Sequence, residues 1–438
     1  MTHPGGREPA APIPAAPTSS GFESPAVVDG GLPVFHERLK DELTFPLAWG
    51  TSPIRDFPTW REAARATVER HLLQPPDDTP FAPEIADERR AEGYRRRILL
   101  FNVTRLSRVR ALMLVPDGEG PHPAVLLLHD HGSRFDIGKE KLVRPWYGRE
   151  RLASARAWAD RCFGGRFVGD ELARRGWAVL AVDAPGWGDR SGLTYESQQA
   201  LAANLFNLGS SPAGLMARED QRTAAFLASL PEVDGERVAA LGFSMGAYRA
   251  WQTAALSDHV RAAVAASWMT GLKEMMVPGD NALRGQSAYF MLHPGLARHL
   301  DLPDVASIAA PKPLYLTGGS DDPLFTAAAV EKAYRRLRAV WRSQHAEDRL
   351  HTEIRPGLGH VFAPGAQDDA FAWLDAWAGR PNSRGGRTER PLSVVRPAKG
   401  RTHAARSTGV RPARPGAVRV TAAITPVFPL IPHRHGAA

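Results

Sequence analysis

The stretch RVAALGFSMGAYRAW, residues 237–251, decides the fold. Val238, Ala239, Ala240 and Leu241 form a short apolar run suited to a strand buried on both faces. From Ala247 to Leu256 the composition is that of a helix. Between the two lies Gly242-Phe243-Ser244-Met245-Gly246, the pattern G-x-S-x-G. A strand that turns at once into a helix needs small neighbours where the elements nearly touch, and it strains the backbone of the central residue. The expected result is a Ser244 hydroxyl raised above the sheet, within reach of substrate and of a base. Met245 then stands at a helix start, where its N–H can donate to an oxyanion. The bland alternative is a turn in which Gly and Ser cluster by chance, and it would not need the flanking strand and helix.

Outward from this stretch, strand-like and helix-like segments alternate. Arg95–Val103 and Arg108–Pro116 read as an antiparallel pair, and Pro123–Gly132 as a central parallel strand. Further strands are expected at Trp177–Val182, Val260–Trp268, Lys312–Gly318 and His351–Pro356. Helices are expected at Thr59–Leu73, Phe167–Arg175, Arg218–Leu230, Thr326–Trp341 and Gly365–Ala378. This alternation predicts an α/β protein with a mostly parallel, doubly wound sheet and helices on both faces. A site is then expected at the C-terminal ends of the strands. Residues 134–165 and 271–302 lack a clear period and read as cap or rim segments. The domain reading is a tail at 1–21, a helical extension at 22–94, a catalytic domain at 95–380 and a tail at 381–438.

Composition separates the tails from the rest. Residues 1–21 are mostly Pro, Ala, Gly and Ser, too poor in apolar groups to order, and show no signal-peptide pattern. Residues 381–438 hold eleven Arg and Lys against the single acid Glu389, which leaves residues 1–380 at a net charge of −2. The chain's net charge of +8 therefore belongs to the tail, which reads as a solvated extension rather than a specific nucleic-acid-binding face. No apolar run is long enough for a membrane span. Cys162 is the only cysteine, so no intrachain disulfide and no cysteine-based zinc site can form. Lack of a signal and of disulfides points to the cytoplasm.

A serine nucleophile needs a base and a group to orient that base. On this kind of sheet the chain order is serine, then an acid, then histidine. The strand at 313–317 runs into Gly318-Gly319-Ser320-Asp321-Asp322-Pro323, and the strand ending at Arg355 runs into Pro356-Gly357-Leu358-Gly359-His360. Both turns follow strand C-termini in the required order, which makes His360 the expected base. Asp321 and Asp322 compete for the orienting role. Asp322 is preferred because Pro323 fixes the turn around it, leaving Asp321 as a turn cap. Among fifteen histidines, His345, His351, His433 and His435 have no comparable position. His129-Asp130-His131-Gly132-Ser133 ends another strand. Its alternating side chains make shared metal coordination awkward, so no metal is expected there. The preferred reading is an oxyanion loop. Gly132 lets the backbone turn, Ser133 or its neighbour gives the second N–H, and His129 and His131 orient the loop. His131, Gly132 and Trp268 are the expected substrate-side residues.

With these pieces in view, residues 95–378 resemble the α/β-hydrolase superfamily, and more narrowly its dienelactone-hydrolase-like and acetyl-xylan-esterase-like branch. The resemblance rests on His131-Gly132, Asp183-x-x-Gly186-x-Gly188, Asp220-x-Arg222 and Asp234-x-x-Arg237 ahead of Gly242-x-Ser244-x-Gly246. Ala310-Pro311-Lys312-Pro313, Gly319-x-x-Asp322 and Gly359-His360 complete it. It implies a serine hydrolase acting on a small-molecule ester, with Ser244, Asp322 and His360 as its triad and no cofactor. Dienelactone hydrolases carry cysteine where this chain has Ser244, so their substrate does not transfer. A prolyl-oligopeptidase-type peptidase would need a propeller for which residues 22–94 are too short. A non-catalytic binding module on the same fold would not need nucleophile, acid and base in order.

Overall fold

The computed structural model describes residues 27–28, 32–33, 35–190, 192–277, 280–281 and 286–379. The N-terminal tail at 1–21, the basic tail at 381–438 and part of the 271–302 segment lie outside the described residues. The core is one nine-stranded sheet. Its strands are β1 (Glu84–Ala91), β2 (Tyr94–Thr104), β3 (Ser107–Pro116), β4 (His122–Leu128), β5 (Ala178–Val182), β6 (Val233–Phe243), β7 (Ala262–Ala266), β8 (Leu314–Gly319) and β9 (Leu350–Arg355). Across the sheet they run in the order β9-β8-β7-β6-β4-β5-β3-β2-β1. From β9 to β5 the pairings are parallel, and from β5 to β1 antiparallel.

The apolar runs of the middle strands are buried on both faces because successive side chains point opposite ways. In β6, Val238 and Ala240 join one core layer, while Ala239, Leu241 and Phe243 join the other. The first layer packs α2 (Phe57–His71), α6 (Pro212–Ala228), α7 (Met245–Leu256) and α9 (Ala327–Ser343) against the sheet through Trp60, Leu227, Trp251 and Leu337. The second packs α3 (Arg149–Phe163), α4 (Val168–Arg174) and α10 (Pro364–Ala378) through Trp158, Leu172 and Phe371. Two shorter helices, α1 (Phe35–Asp41) and α8 (Leu302–Ser307), and the peripheral α5 (Tyr195–Asn207) complete the set named here.

Three local features depart from the sequence reading, the first being that residues 149–163 of the expected rim segment form α3, packed in the second layer. The stretch taken as helical pieces also carries β1, whose EIADERRA sequence has charge where a half-buried strand would show apolar alternation. It forms by pairing along β2 at the sheet edge, where exposure tolerates charge. Helix α6 starts before Arg218 because Ser211 caps it, its hydroxyl accepting from the Gly214 N–H at 2.9 Å, with Pro212 in the first turn. Among the described residues, no helix is long and apolar enough to cross a membrane.

Candidate active site

Ser244 sits between β6 and α7 with φ 55° and ψ −127°, a left-handed region that a serine occupies only under constraint. The constraint is local. Its N–H donates to the Ala266 carbonyl at the end of β7 (2.8 Å), and its carbonyl accepts from Ala247 N–H (2.7 Å) in the first turn of α7. A Cβ on Gly242 would overlap the Gly246 carbonyl, and one on Gly246 would overlap the Leu128 carbonyl of β4. The two glycines are therefore what lets strand, turn and helix fit. Met245 is the first residue of α7, so its N–H has no partner within the helix.

The structure brings His360 and Asp322 to this serine. Ser244 Oγ lies 2.8 Å from His360 Nε2, and His360 Nδ1 lies 2.7 Å from Asp322 Oδ2. A carboxylate only accepts, so Nδ1 carries the ring proton and Nε2 accepts from the serine hydroxyl. The Asp322 side chain is 2% exposed and that of His360 19%, so the carboxylate is enclosed and the imidazole opens outward. The other Asp322 oxygen, Oδ1, accepts from Leu324 N–H at 2.9 Å. The imidazole lies between the rings of Phe243 and Phe325, with centroids 5.0 and 6.1 Å away. Asp321 points elsewhere: it is exposed and its Oδ1 accepts from Ser320 Oγ at 2.7 Å.

The loop after β4 runs beside the elbow, since Leu128 pairs level with Gly242. Its two histidines are buried and neutral. Burial holds His129 well below the ordinary imidazole range and draws His131 down to about 4. His129 Nδ1–H donates to the Asp130 carbonyl (2.8 Å), and Nε2 accepts from Ala184 N–H (2.9 Å), tying the ends of β4 and β5 together. His131 Nε2–H donates to Gln198 of α5 (3.0 Å), and Nδ1 accepts from Ser133 N–H (3.3 Å). Gly132 and Ser133 both have positive φ, 57° and 54°. The two histidines thus face different partners and share no ligand position. Trp268 is 3% exposed and packed against Tyr248, Trp251 and Phe325, so it reaches the site through Phe325.

One further group of carboxylates converges among the described residues: Glu140, Asp183 and Asp189. Cations already meet them: the Lys139 ammonium lies at 3.1, 2.5 and 2.8 Å respectively, and the Arg151 guanidinium lies 2.9 Å from Glu140 and 2.6 Å from Asp189. Sequence reading took residues 134–165 as rim and missed the fully buried Lys139 and Lys141. The available signal was their setting, since Ile137-Gly138-Lys139-Glu140-Lys141-Leu142-Val143 brackets its charges with apolar residues. The Asp220 of the motif Asp220-x-Arg222 pairs instead with Arg249 of α7, at 2.6 and 2.8 Å.

The sheet order, the turn at Ser244 and the helices on both faces define an α/β-hydrolase fold. The chain belongs to the Abhydrolase family, whose model matches residues 34–353. It is 28% identical over 318 residues to the candidate hydrolase YtaP of Bacillus subtilis (strain 168), covering 72% of this chain and 99% of YtaP. A candidate acetyl xylan esterase (BF1801) from Bacteroides fragilis NCTC 9343 superposes with a TM-score of 0.58 at 19% identity, covering 73% of this chain and 81% of that one. A glucuronoyl esterase from Solibacter usitatus gives a TM-score of 0.54 at 13% identity, covering 81% and 97%. At such identities the likeness is one of fold.

Proposed function

We propose that the protein is a serine hydrolase that cleaves a small carboxylic ester through an acyl-enzyme. The observation that carries this reading is the hydrogen-bonded chain from Ser244 Oγ through the His360 ring to Asp322, at 2.8 and 2.7 Å. In the first half-reaction Ser244 Oγ adds to the ester carbonyl carbon while His360 Nε2 takes its proton. Asp322 holds the ring in the required tautomer and stabilises the imidazolium. The developing oxyanion lies at the Met245 N–H and at the N–H of Gly132, the neighbour of Ser133, because the Ser133 N–H expected for this role already donates to His131 Nδ1. Collapse of the tetrahedral intermediate breaks the bond to the alcohol oxygen, which leaves with the proton from His360. Water then adds to the acyl-enzyme, again deprotonated by His360, and the carboxylic acid departs as Ser244 recovers its proton.

Esters are favoured over amides by the company the fold keeps. The two solved structures described above bear the names of a candidate acetyl xylan esterase and a glucuronoyl esterase. The test is a series of p-nitrophenyl esters of rising acyl length, run beside an aminoacyl nitroanilide and the Ser244→Ala variant. We expect turnover of short esters, little amidase activity, and a fold in Ser244→Ala that melts like wild type with rate reduced to the residue left by binding and the oxyanion donors. A fluorophosphonate should label Ser244. Active protein that is labelled elsewhere, or that loses nothing on Ser244→Ala, would overturn the assignment.

A further inference from the structure

The 129–133 loop is held from behind by buried cations, and its hydrogen bonds fix which way its peptide groups face. Three successive carbonyls accept from charged or aromatic donors that substrate does not reach. The His129 carbonyl accepts from Arg249 Nη1 at 3.4 Å. The Asp130 carbonyl accepts from Lys141 Nζ at 2.9 Å, in addition to His129 Nδ1. The His131 carbonyl accepts from Lys141 Nζ and from Trp187 Nε1, both at 2.9 Å. Lys141 Nζ also lies 3.4 Å from Asp130 Oδ1. An ammonium has three N–H donors, and here three oxygens surround it. Lys141 has no exposed surface, and the face of Trp158 closes one side of its head group, 5.3 Å from the ring centroid.

In a trans peptide unit the C=O and N–H point in opposite directions. Turning the carbonyls of His129, Asp130 and His131 toward the cations turns the N–H groups of Asp130, His131 and Gly132 away from them. The turn at Gly132 and Ser133 then follows beside the elbow, since β4 pairs level with β6. We propose that Lys141 is a positioning residue for ester hydrolysis. Its ammonium touches no substrate but holds the 129–133 backbone in the one shape that sets the second oxyanion donor opposite the Met245 N–H. The inference rests on the serine-hydrolase reading above. Methionine in place of Lys141 fills the same space and offers no donor, so the Asp130 and His131 carbonyls lose the donor they share and keep only His129 Nδ1 and Trp187 Nε1.

The experiment compares Lys141→Met and Trp187→Phe with wild type and Ser244→Ala, using the best ester and a trifluoromethyl ketone analogue of its acyl part. A lost or displaced oxyanion donor costs about 100-fold in kcat. We expect that loss for Lys141→Met with KM nearly unchanged, and a smaller loss of the same kind for Trp187→Phe. The ketone, which forms a tetrahedral adduct, should weaken in step with kcat/KM, whereas a general loosening of the pocket would move KM as well. Should Lys141→Met fail to fold, Trp187→Phe reads the same His131 carbonyl. Wild-type kcat in the folded variants, or a loss confined to KM, overturns the role of Lys141 while Ser244→Ala remains inactive. Full turnover in Ser244→Ala would instead remove the serine-hydrolase reading and this inference with it.

Discussion

Replacing Asp322 by asparagine keeps the side-chain shape but changes which proton the imidazole carries. The two carboxylate oxygens are already assigned: Oδ1 accepts from Leu324 N–H at 2.9 Å and Oδ2 from His360 Nδ1–H at 2.7 Å. An asparagine must place its one carbonyl oxygen on one of these donors and its NH2 on the other. With the oxygen kept toward the backbone N–H, the NH2 faces His360 Nδ1. That nitrogen must then accept, so the proton moves to Nε2, which can no longer take the Ser244 proton. Flipping the amide restores the tautomer only by setting NH2 against the Leu324 N–H in an enclosed site. The same wrong-tautomer effect lowers kcat by about four orders of magnitude in serine-protease triads, on the order of 5 kcal/mol of transition-state stabilisation. Asp321→Asn should stay near wild type, since its exposed side chain only accepts from Ser320 Oγ and an amide oxygen does that equally well. The assay is kcat on the best p-nitrophenyl ester at neutral pH, with thermal melting as the control for folding. A loss smaller than roughly tenfold in Asp322→Asn, or a larger loss in Asp321→Asn, would refute the reasoning.

Two other outcomes are open to measurement. Gly319→Ala places a Cβ into the Leu358 carbonyl, so the turns carrying Asp322 and His360 must separate; kcat should fall by at least about 100-fold, as for a misplacement near 1 Å, and wild-type kinetics would show that the turns adapt freely. Burial draws both His131 and His293 down to about 4, whereas an unfolded imidazole titrates near ~6.5. Between these values the unfolded chain binds the extra protons, so stability falls as pH drops through that window, on the order of 2 kcal/mol per histidine at pH 5. His293→Gln should flatten the slope of unfolding free energy in urea between about pH 6.5 and 5, and an unchanged slope would contradict the burial argument.

The parallel part of the sheet was legible in the sequence because its strands are buried on both faces. Leu126, Leu180 and Val264 belong to unbroken apolar runs that local pattern can find. The elbow was legible for a related reason: Gly242 and Gly246 are demanded by contacts within a few residues or with the adjacent β4. What escaped depends on partners distant in sequence. β1 carries charge on five of its eight residues and becomes a strand only because β2 offers it an edge. Lys141 is an unremarkable lysine in a basic stretch until the fold sets its ammonium on the carbonyls of Asp130 and His131. Arg249 of α7 is 3% exposed and paired with Asp220, twenty-nine residues earlier. No periodicity encodes such pairs.

Which of the two adjacent aspartates faces His360 in the proposed triad depends on backbone pairing that continues past the ends of β8 and β9. Gly319 lies level with Arg355 in the sheet. Beyond it, Ser320 N–H donates to the Arg355 carbonyl at 2.9 Å, Asp321 N–H donates to the Leu358 carbonyl at 3.0 Å, and Ser320 Oγ accepts from Gly357 N–H at 2.8 Å. The two turns are thus laced together up to Asp321, whose backbone is part of the lacing and whose side chain faces solvent. The next residue projects to the opposite side, into the space beside Phe325 and His360, where a carboxylate is 2% exposed and meets a ring N–H. In the proposed reading the orienting position is therefore the residue just past the laced segment, and Asp321, inside that segment, stays turned to solvent.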